Sequence, residues 1–268
     1  KLCRNLEELM AHYQYIREMR DKIPYEIDGT VIKVNRFDYQ AALGAVSRSP
    51  RWAIAFKFEA HEETTIIEDI IVQVGRTGAL TPVALLKPVI VSGVEVRRAT
   101  LHNEDEIRRK DILIGDTAIV SRAGDVIPEV VKVVKEKRTG SEKHFIMPYK
   151  CPVCGEKVVR PPGEAIRRCV NINCPAQIKG SIEHFASKRA MDIDGLGEKL
   201  VEQLVDKEVI RDVSDLYYLT KDRLANLERM AEKSAQNIID AINASKRPSF
   251  QRFLYALGIR NVGEHIAG

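Results

Sequence analysis

The chain has 268 residues, with 42 Lys and Arg against 38 Asp and Glu and a formal net charge of +4. That length predicts two or more domains with real cores, and no apolar run is long enough to span a bilayer, so no membrane partner is expected. A small positive charge permits a polyanion partner without requiring one, and an aromatic content of 6% argues against base stacking on an aromatic platform.

In chain order, Asn5 with Glu8 three residues on has the form of a capping box. Leu6, Leu9, Met10, Tyr13 and Ile16 then recur at helical spacing. An amphipathic helix is therefore predicted, ending near Ile23-Pro24. Asp28-Gly29 reads as a turn into a strand carrying Thr30, Val31, Ile32 and Val34. Lys33 lies inside that strand. A second strand alternates Trp52, Ile54 and Phe56 with Ala53, Ala55 and Lys57, which places Lys57 opposite Phe56 and Phe58. Two readings stay open for these lysines. They converge on one anion such as a nucleotide phosphate, or they are strand lysines whose ammonium groups snorkel to water.

Residues 64–134 read as all-β. Short β-branched runs are broken by Gly75, Gly78, Gly93, Gly115-Asp116 and Gly124-Asp125, the pattern of a small OB-like barrel. Arg76 and Arg122 each stand at a strand end beside glycine, as phosphate contacts or as solvated turn residues.

The next stretch is the most specific. Cys151-Pro152-Val153-Cys154, then Cys169 and Cys174, offer two close cysteine pairs on a loop-rich segment. That is the donor set of a tetrahedral zinc site, with four thiolates and no open position, hence structural. The rival reading is a pair of disulfides, but a chain of this size does not need staples. Cys3 is left over as an ordinary thiol. Residues 150–189 hold eight Lys and Arg against three Asp and Glu, which suggests a polyanion contact beside the metal.

After the cysteines the sequence reads as helices, and one shape recurs. Ile193-Asp194-Gly195-Leu196-Gly197 precedes a helix, Leu227-Glu228-Arg229-Met230-Ala231 precedes another, and Leu257-Gly258-Ile259-Arg260-Asn261-Val262-Gly263 begins a third. Helix, tight hairpin, helix is the helix-hairpin-helix pattern. Gly195, Gly197, Gly258 and Gly263 are expected to leave backbone N–H groups bare for DNA phosphates. The second hairpin lacks both glycines and is expected to bind less well or to serve packing. A helical scaffold with glycine caps is the alternative. Both chain ends read as cut, so an internal fragment of a longer protein is expected.

Taken in order, these parts resemble a known family. Glu26-Ile27-Asp28-Gly29-Thr30-Val31-Ile32-Lys33-Val34 resembles motif IV of nucleotidyltransferases, and Ala53-Ile54-Ala55-Phe56-Lys57-Phe58 resembles motif V. A barrel with Gln73-Val74-Gly75-Arg76-Thr77-Gly78 and Arg122-Ala123-Gly124-Asp125-Val126-Ile127-Pro128 follows, then the four cysteines and the hairpins. Over essentially the whole chain this is similar to the bacterial NAD⁺-dependent DNA ligases. The resemblance implies a multidomain α+β chain. Its expected parts are the end of a nucleotidyltransferase domain (residues 1–62), an OB-fold barrel (63–145), a Cys₄ zinc knuckle (146–178) and a truncated helix-hairpin-helix array (179–268).

It further implies nick sealing through lysyl-adenylate and DNA-adenylate intermediates, with NAD⁺, Mg²⁺ and structural Zn²⁺ as cofactors. The expected setting is a monomer acting on nicked duplex DNA in the cytoplasm. Lys33 and Lys57 would line the nucleotide pocket, Lys57 neutralising the α-phosphate, and Asp28 would help hold Mg²⁺. Arg76 and Arg122 would grip the DNA backbone, and Val126 and Ile127 would press into the minor groove. The family's nucleophile lies in Lys-x-Asp-Gly, which this sequence lacks; Glu26-Ile27-Asp28-Gly29 has Glu at that place, and Glu cannot form the phosphoramidate. The fragment alone is therefore expected to be inactive. The alternative is a non-catalytic, structure-specific DNA-binding module.

Overall fold

A computed structural model describes residues 1–25, 27–46, 49–59, 61–122 and 128–268. The chain divides into two compact units. One comprises Lys1–Asp69, Ala84–Thr100 and Ile112–Lys143, the other Ile70–Val83, Leu101–Asp111 and His144–Gly268.

The first unit opens with helix α1 (Leu6–Met19), capped by Asn5, whose side chain accepts the Glu8 N–H at 2.8 Å. Glu8 completes the start by accepting the Arg4 N–H at 3.0 Å. Strands β1 (Gly29–Lys33) and β2 (Ala53–Lys57) pair antiparallel, with Gly29 opposite Lys57 and Lys33 opposite Ala53. Between them lies a short helix, α2 (Phe37–Leu43), which the sequence reading did not anticipate.

Five strands then close a barrel. They are β3 (His61–Val74), β4 (Leu80–Val91), β5 (Val94–Thr100), β6 (Thr117–Arg122) and β7 (Glu129–Val133), in the order β7-β5-β4-β3-β6. β7 joins β5 in parallel and β6 antiparallel, with a register shift between Val130 and Lys132. Five strands closed with one parallel contact make an OB-type barrel. The first unit also buries Asp116 completely. The Arg138 guanidinium grips its carboxylate at 2.7 and 2.9 Å, and the Leu113 N–H donates to it at 2.8 Å, which satisfies a charge that would otherwise be costly to bury.

The all-β expectation for residues 64–134 fails at one place. In the second unit Glu104–Lys110 is a helix, α3. Asn103 caps it by accepting the Glu106 N–H, its first turn is acidic, its last turn is basic, and Asp111 closes it in the left-handed region. These end effects carry a helix too short to show apolar periodicity.

The second unit continues with a small hairpin, β8 (Val158–Val159) against β9 (Arg168–Cys169). Helices α4 (Pro175–Ala186), α5 (Glu198–Asp206), α6 (Lys221–Ala225), α7 (Glu232–Ala244), α8 (Phe250–Ala256) and α9 (Glu264–Ala267) follow. Their shared core is largely aliphatic, with Ile182, Val201, Leu204, Leu216, Leu224 and Ile238 among its buried members beside Phe185. Among the described residues no helix is long and apolar enough to cross a membrane.

Candidate functional site

The antiparallel register of β1 and β2 decides where the two lysines go. Residues directly opposite share a face, so Lys57, Gly29, Ala55, Val31, Ala53 and Lys33 all lie on one side of the strand pair. Both lysines are exposed. They stand at opposite ends of a floor of small and branched residues, about 13 Å apart along the strands at the usual rise per residue. Gly29 is more than a turn residue. A Cβ there would run into the Phe56 carbonyl oxygen and the Lys57 Cα, at 2.6 and 2.7 Å, so the absent side chain lets β1 approach β2 where Lys57 projects.

Asp28 completes this end. Its carboxylate accepts the Lys57 ammonium at 3.0 Å, and its carbonyl accepts the Phe58 N–H at 2.9 Å. The Lys57 hydrogen bond, and then its charge, lower the Asp28 pKa, so the carboxylate stays ionised. On the other side Tyr13 of α1 stacks on Phe56, with ring centroids 4.1 Å apart.

The second unit carries the four cysteines. All four sulfurs lie within 4.8 Å of one another. Cys151 and Cys174 are 3.9 Å apart at sulfur, and Cys154 and Cys169 are 3.5 Å apart. The edge of a tetrahedron with zinc–sulfur bonds of about 2.3 Å is ~3.8 Å, so the donor set fits Zn²⁺, and the cysteines are not joined as disulfides. Gly155, at φ +74, turns the first knuckle and returns its N–H to the Cys151 carbonyl at 2.9 Å. Cys174 is the N-cap of α4.

Burial pushes the Cys169 thiol up to about 12 and raises Cys174 as well. At Cys154 burial also acts upward, but the Glu156 N–H, the Asn171 side chain and the neighbouring sulfurs outweigh it and bring the thiol down to about 7. A cluster of this kind ionises fully only around a cation, whose field reverses the burial effect. Such a metal holds the two knuckles together and has no open position for chemistry.

The basic excess of this stretch is partly spent within the protein. Arg167 pairs with Glu104, Arg160 with Asp105, Arg168 with Glu164 and Lys179 with Asp206. Three of those carboxylates lie outside residues 150–189, which a count over the segment alone could not register. Lys150, Lys157 and Lys188 remain exposed.

The three hairpins share one backbone path. A residue at positive φ stands two places before each helix N-cap: Gly195 (+82) before Gly197, Arg229 (+60) before Ala231, and Asn261 (+65) before Gly263. The N-caps are alike, with φ between −82 and −85 and ψ between 156 and 177. None of α5, α7 and α9 has a side-chain cap, whereas Thr220 caps α6 and Ser249 caps α8. A Cβ added at Gly197 or Gly263 would meet nothing within 4 Å. The hairpin helices thus present open, uncapped N-termini, where backbone N–H groups and the helix dipole favour an anion.

The second hairpin keeps this shape without glycine, at the expense of a left-handed arginine. Arg229 is exposed, and the left-handed conformation costs an L-residue about 1–2 kcal/mol. Arg229→Gly is therefore expected to raise the thermal midpoint by ~2–4 °C, read by calorimetry. A lowered midpoint would mean that the Arg229 side chain contributes more than the strain.

The other expected DNA residues fall in different places. Gly258 is not at a helix N-terminus. It follows α8 at φ +63, donates its N–H to the Tyr255 carbonyl at 3.0 Å and accepts Arg76 at 2.6 Å. A Cβ there would collide with the Arg76 guanidinium. Arg76 is thus engaged with a hairpin carbonyl, and its backbone packs on Gly180, where a Cβ would lie 3.1 Å from the Arg76 Cα. Arg122 ends β6 opposite His61. Val126 and Ile127 lie outside the described residues.

The strand pair that carries Lys33 and Lys57 lies in a stretch that matches the adenylation domain of a ligase. Residues 1–61 match the NAD-dependent DNA ligase adenylation domain, 64–142 its OB-fold domain, 150–176 its C4 zinc finger domain and 187–244 a SAM-like helix-hairpin-helix tandem. The chain belongs to the NAD-dependent DNA ligase family. A DNA ligase of Syntrophus aciditrophicus (strain SB) is 59% identical over 98% of the chain, and one of Nitrosococcus oceani is 60% identical over 98%. A DNA ligase of Thermoanaerobacter sp. (strain X514) is 55% identical over 100% of the chain. The chain spans 39% to 40% of the length of these relatives.

Proposed function

We propose that the chain forms part of an enzyme that seals nicks in duplex DNA, with NAD⁺ as adenylate donor, by way of lysyl-adenylate and DNA-adenylate. It acts as a monomer in the cytoplasm. The observation that carries this reading is the common face of Lys33 and Lys57 over their small-residue floor. Lys33 and Lys57 bind the nucleotide phosphates. Lys57 offsets charge that develops on the α-phosphate, the kind of contribution that preorganised cations make best. Asp28, already ionised beside Lys57, supplies a hard oxygen for Mg²⁺.

Gly197 and Gly263 open two helix N-termini to DNA phosphates, with Gly195 shaping the first hairpin. Arg76 and Arg122 contact the backbone, Gly258 seats Arg76, and Val126 and Ile127 enter the minor groove. The domain limits we assign are 1–62, 63–145, 146–178 and 179–268. The 268 residues hold no Lys-x-Asp-Gly, so the chain alone binds nicked DNA without forming the lysyl-adenylate. The uncapped helices favour a second reading, a non-catalytic module that only clamps DNA.

The two separate in one experiment. The full-length gene product is incubated with adenylate-labelled NAD⁺ or ATP and with a nicked duplex. Covalent AMP from NAD⁺ alone, with sealing, is the expected result. Labelling from ATP overturns the cofactor. No labelling from either, with salt-sensitive binding to the nick, establishes the clamp.

A further inference from the structure

We infer that Tyr13 is a positioning residue for Lys57, acting through the main chain of the strand that carries it. Tyr13 is the one buried residue of α1, 8% exposed. Its hydroxyl donates to the Lys57 carbonyl at 3.0 Å. Its ring stacks on Phe56 at 4.1 Å and meets Phe58, tilted, at 5.3 Å. One side chain thus clasps the residues on both sides of Lys57 and Lys57 itself.

The ladder explains why Lys57 needs such a clasp. The Phe58 N–H bonds the Asp28 carbonyl, so residues 28 and 58 form a hydrogen-bonded pair and the adjacent pair, Gly29 and Lys57, is a non-hydrogen-bonded one. The Lys57 carbonyl therefore points away from β1 and takes nothing from this ladder. Lys57 is also the last residue of β2. A strand end bonded on one side only is free to rotate about its axis, and rotation there would swing the ammonium off Asp28 and off the face that holds Lys33. The Tyr13 hydroxyl takes the free carbonyl, and the two phenylalanine contacts fix the twist. Arg20 adds a grip just beyond, donating to the Glu59 carbonyl at 3.2 Å with its guanidinium 5.6 Å from the Phe58 ring centre.

The inference rests on the ligase reading, and the test separates the two. In the full-length ligase Tyr13→Phe keeps the ring and removes only the hydroxyl. Self-adenylation at saturating NAD⁺ is expected to fall about tenfold, as a small misplacement of a charge-stabilising group costs. The KM for NAD⁺ and the thermal midpoint are expected to stay close to the parent values. In a Lys57→Ala background the same change is expected to cost nothing more, because the group it places is gone. An unchanged rate, or a loss that simply multiplies with that of Lys57→Ala, overturns the role. If the parent enzyme takes no label from NAD⁺, it is the ligase reading that fails.

Discussion

Removing the metal, by chelation or by Cys169→Ser, is expected to unfold the zinc knuckle and weaken binding to a nicked duplex by at least about tenfold, or ~1.4 kcal/mol. The apolar support around the sulfurs is thin. Leu80, Met147 and Val158 are the buried members besides cysteine, and structural zinc contributes about 10–16 kcal/mol in small finger domains. The damage should spread within the second unit. Cys174 caps α4, the Gln177 side-chain amide donates to the carbonyls of Cys169 and Asn171, and the Cys169 N–H bonds the Gly78 carbonyl. A Cβ on Gly78 would strike the Cys169 carbonyl, so the fit leaves no room for a rearranged knuckle. Circular dichroism and a salt titration of DNA affinity read the outcome. Unchanged helix content and unchanged affinity would show that the cysteines do not organise this unit.

Lys57→Ala in the full-length ligase is expected to lower the rate of self-adenylation by about 10²–10³-fold, the loss seen when a preorganised stabilising group is removed. The fold should tolerate the change. Lys57 and Asp28 are 62% and 53% exposed at the side chain, and exposed ion pairs contribute little to stability. A thermal midpoint near that of the parent with a collapsed rate is the signature of a chemical role. Lys57→Arg should recover only part of the rate, since a planar fork replaces a compact ammonium. Sealing at the parent rate in Lys57→Ala would return Lys57 to the status of a strand lysine at the water's edge.

The sequence was most informative where spacing alone fixes chemistry. Four cysteines at 151, 154, 169 and 174 name a metal-binding geometry wherever the chain goes, and the sulfurs converge as that spacing requires. The alternation around Phe56 also placed Lys57 opposite its aromatic neighbours. What alternation could not supply was the partner strand and its register, which put Lys33 on the same face. Tyr13 was legible only as one member of an apolar stripe, because its hydroxyl bond joins residues 44 apart in sequence.

The hairpins show a different limit. Glycine marks a left-handed position only when glycine fills it, and here Arg229 and Asn261 fill two of the three. Gly258, one of the two glycines singled out in the third hairpin, makes room for Arg76 instead. The helix at Glu104–Lys110 escaped because its stability comes from its ends.

The turn between β3 and β4 has a bearing on how the molecule is made. Leu80 donates its N–H to the Arg167 carbonyl, Ala79 bridges Arg168, and the Arg168 guanidinium reaches the Thr77 hydroxyl across 91 positions of chain. Contacts of that separation carry a large loop-closure entropy and form late. During synthesis the turn leaves the ribosome well before its partner exists. The turn therefore gains its partners only once the cysteine segment has been made, and the second unit closes on a strand started far upstream.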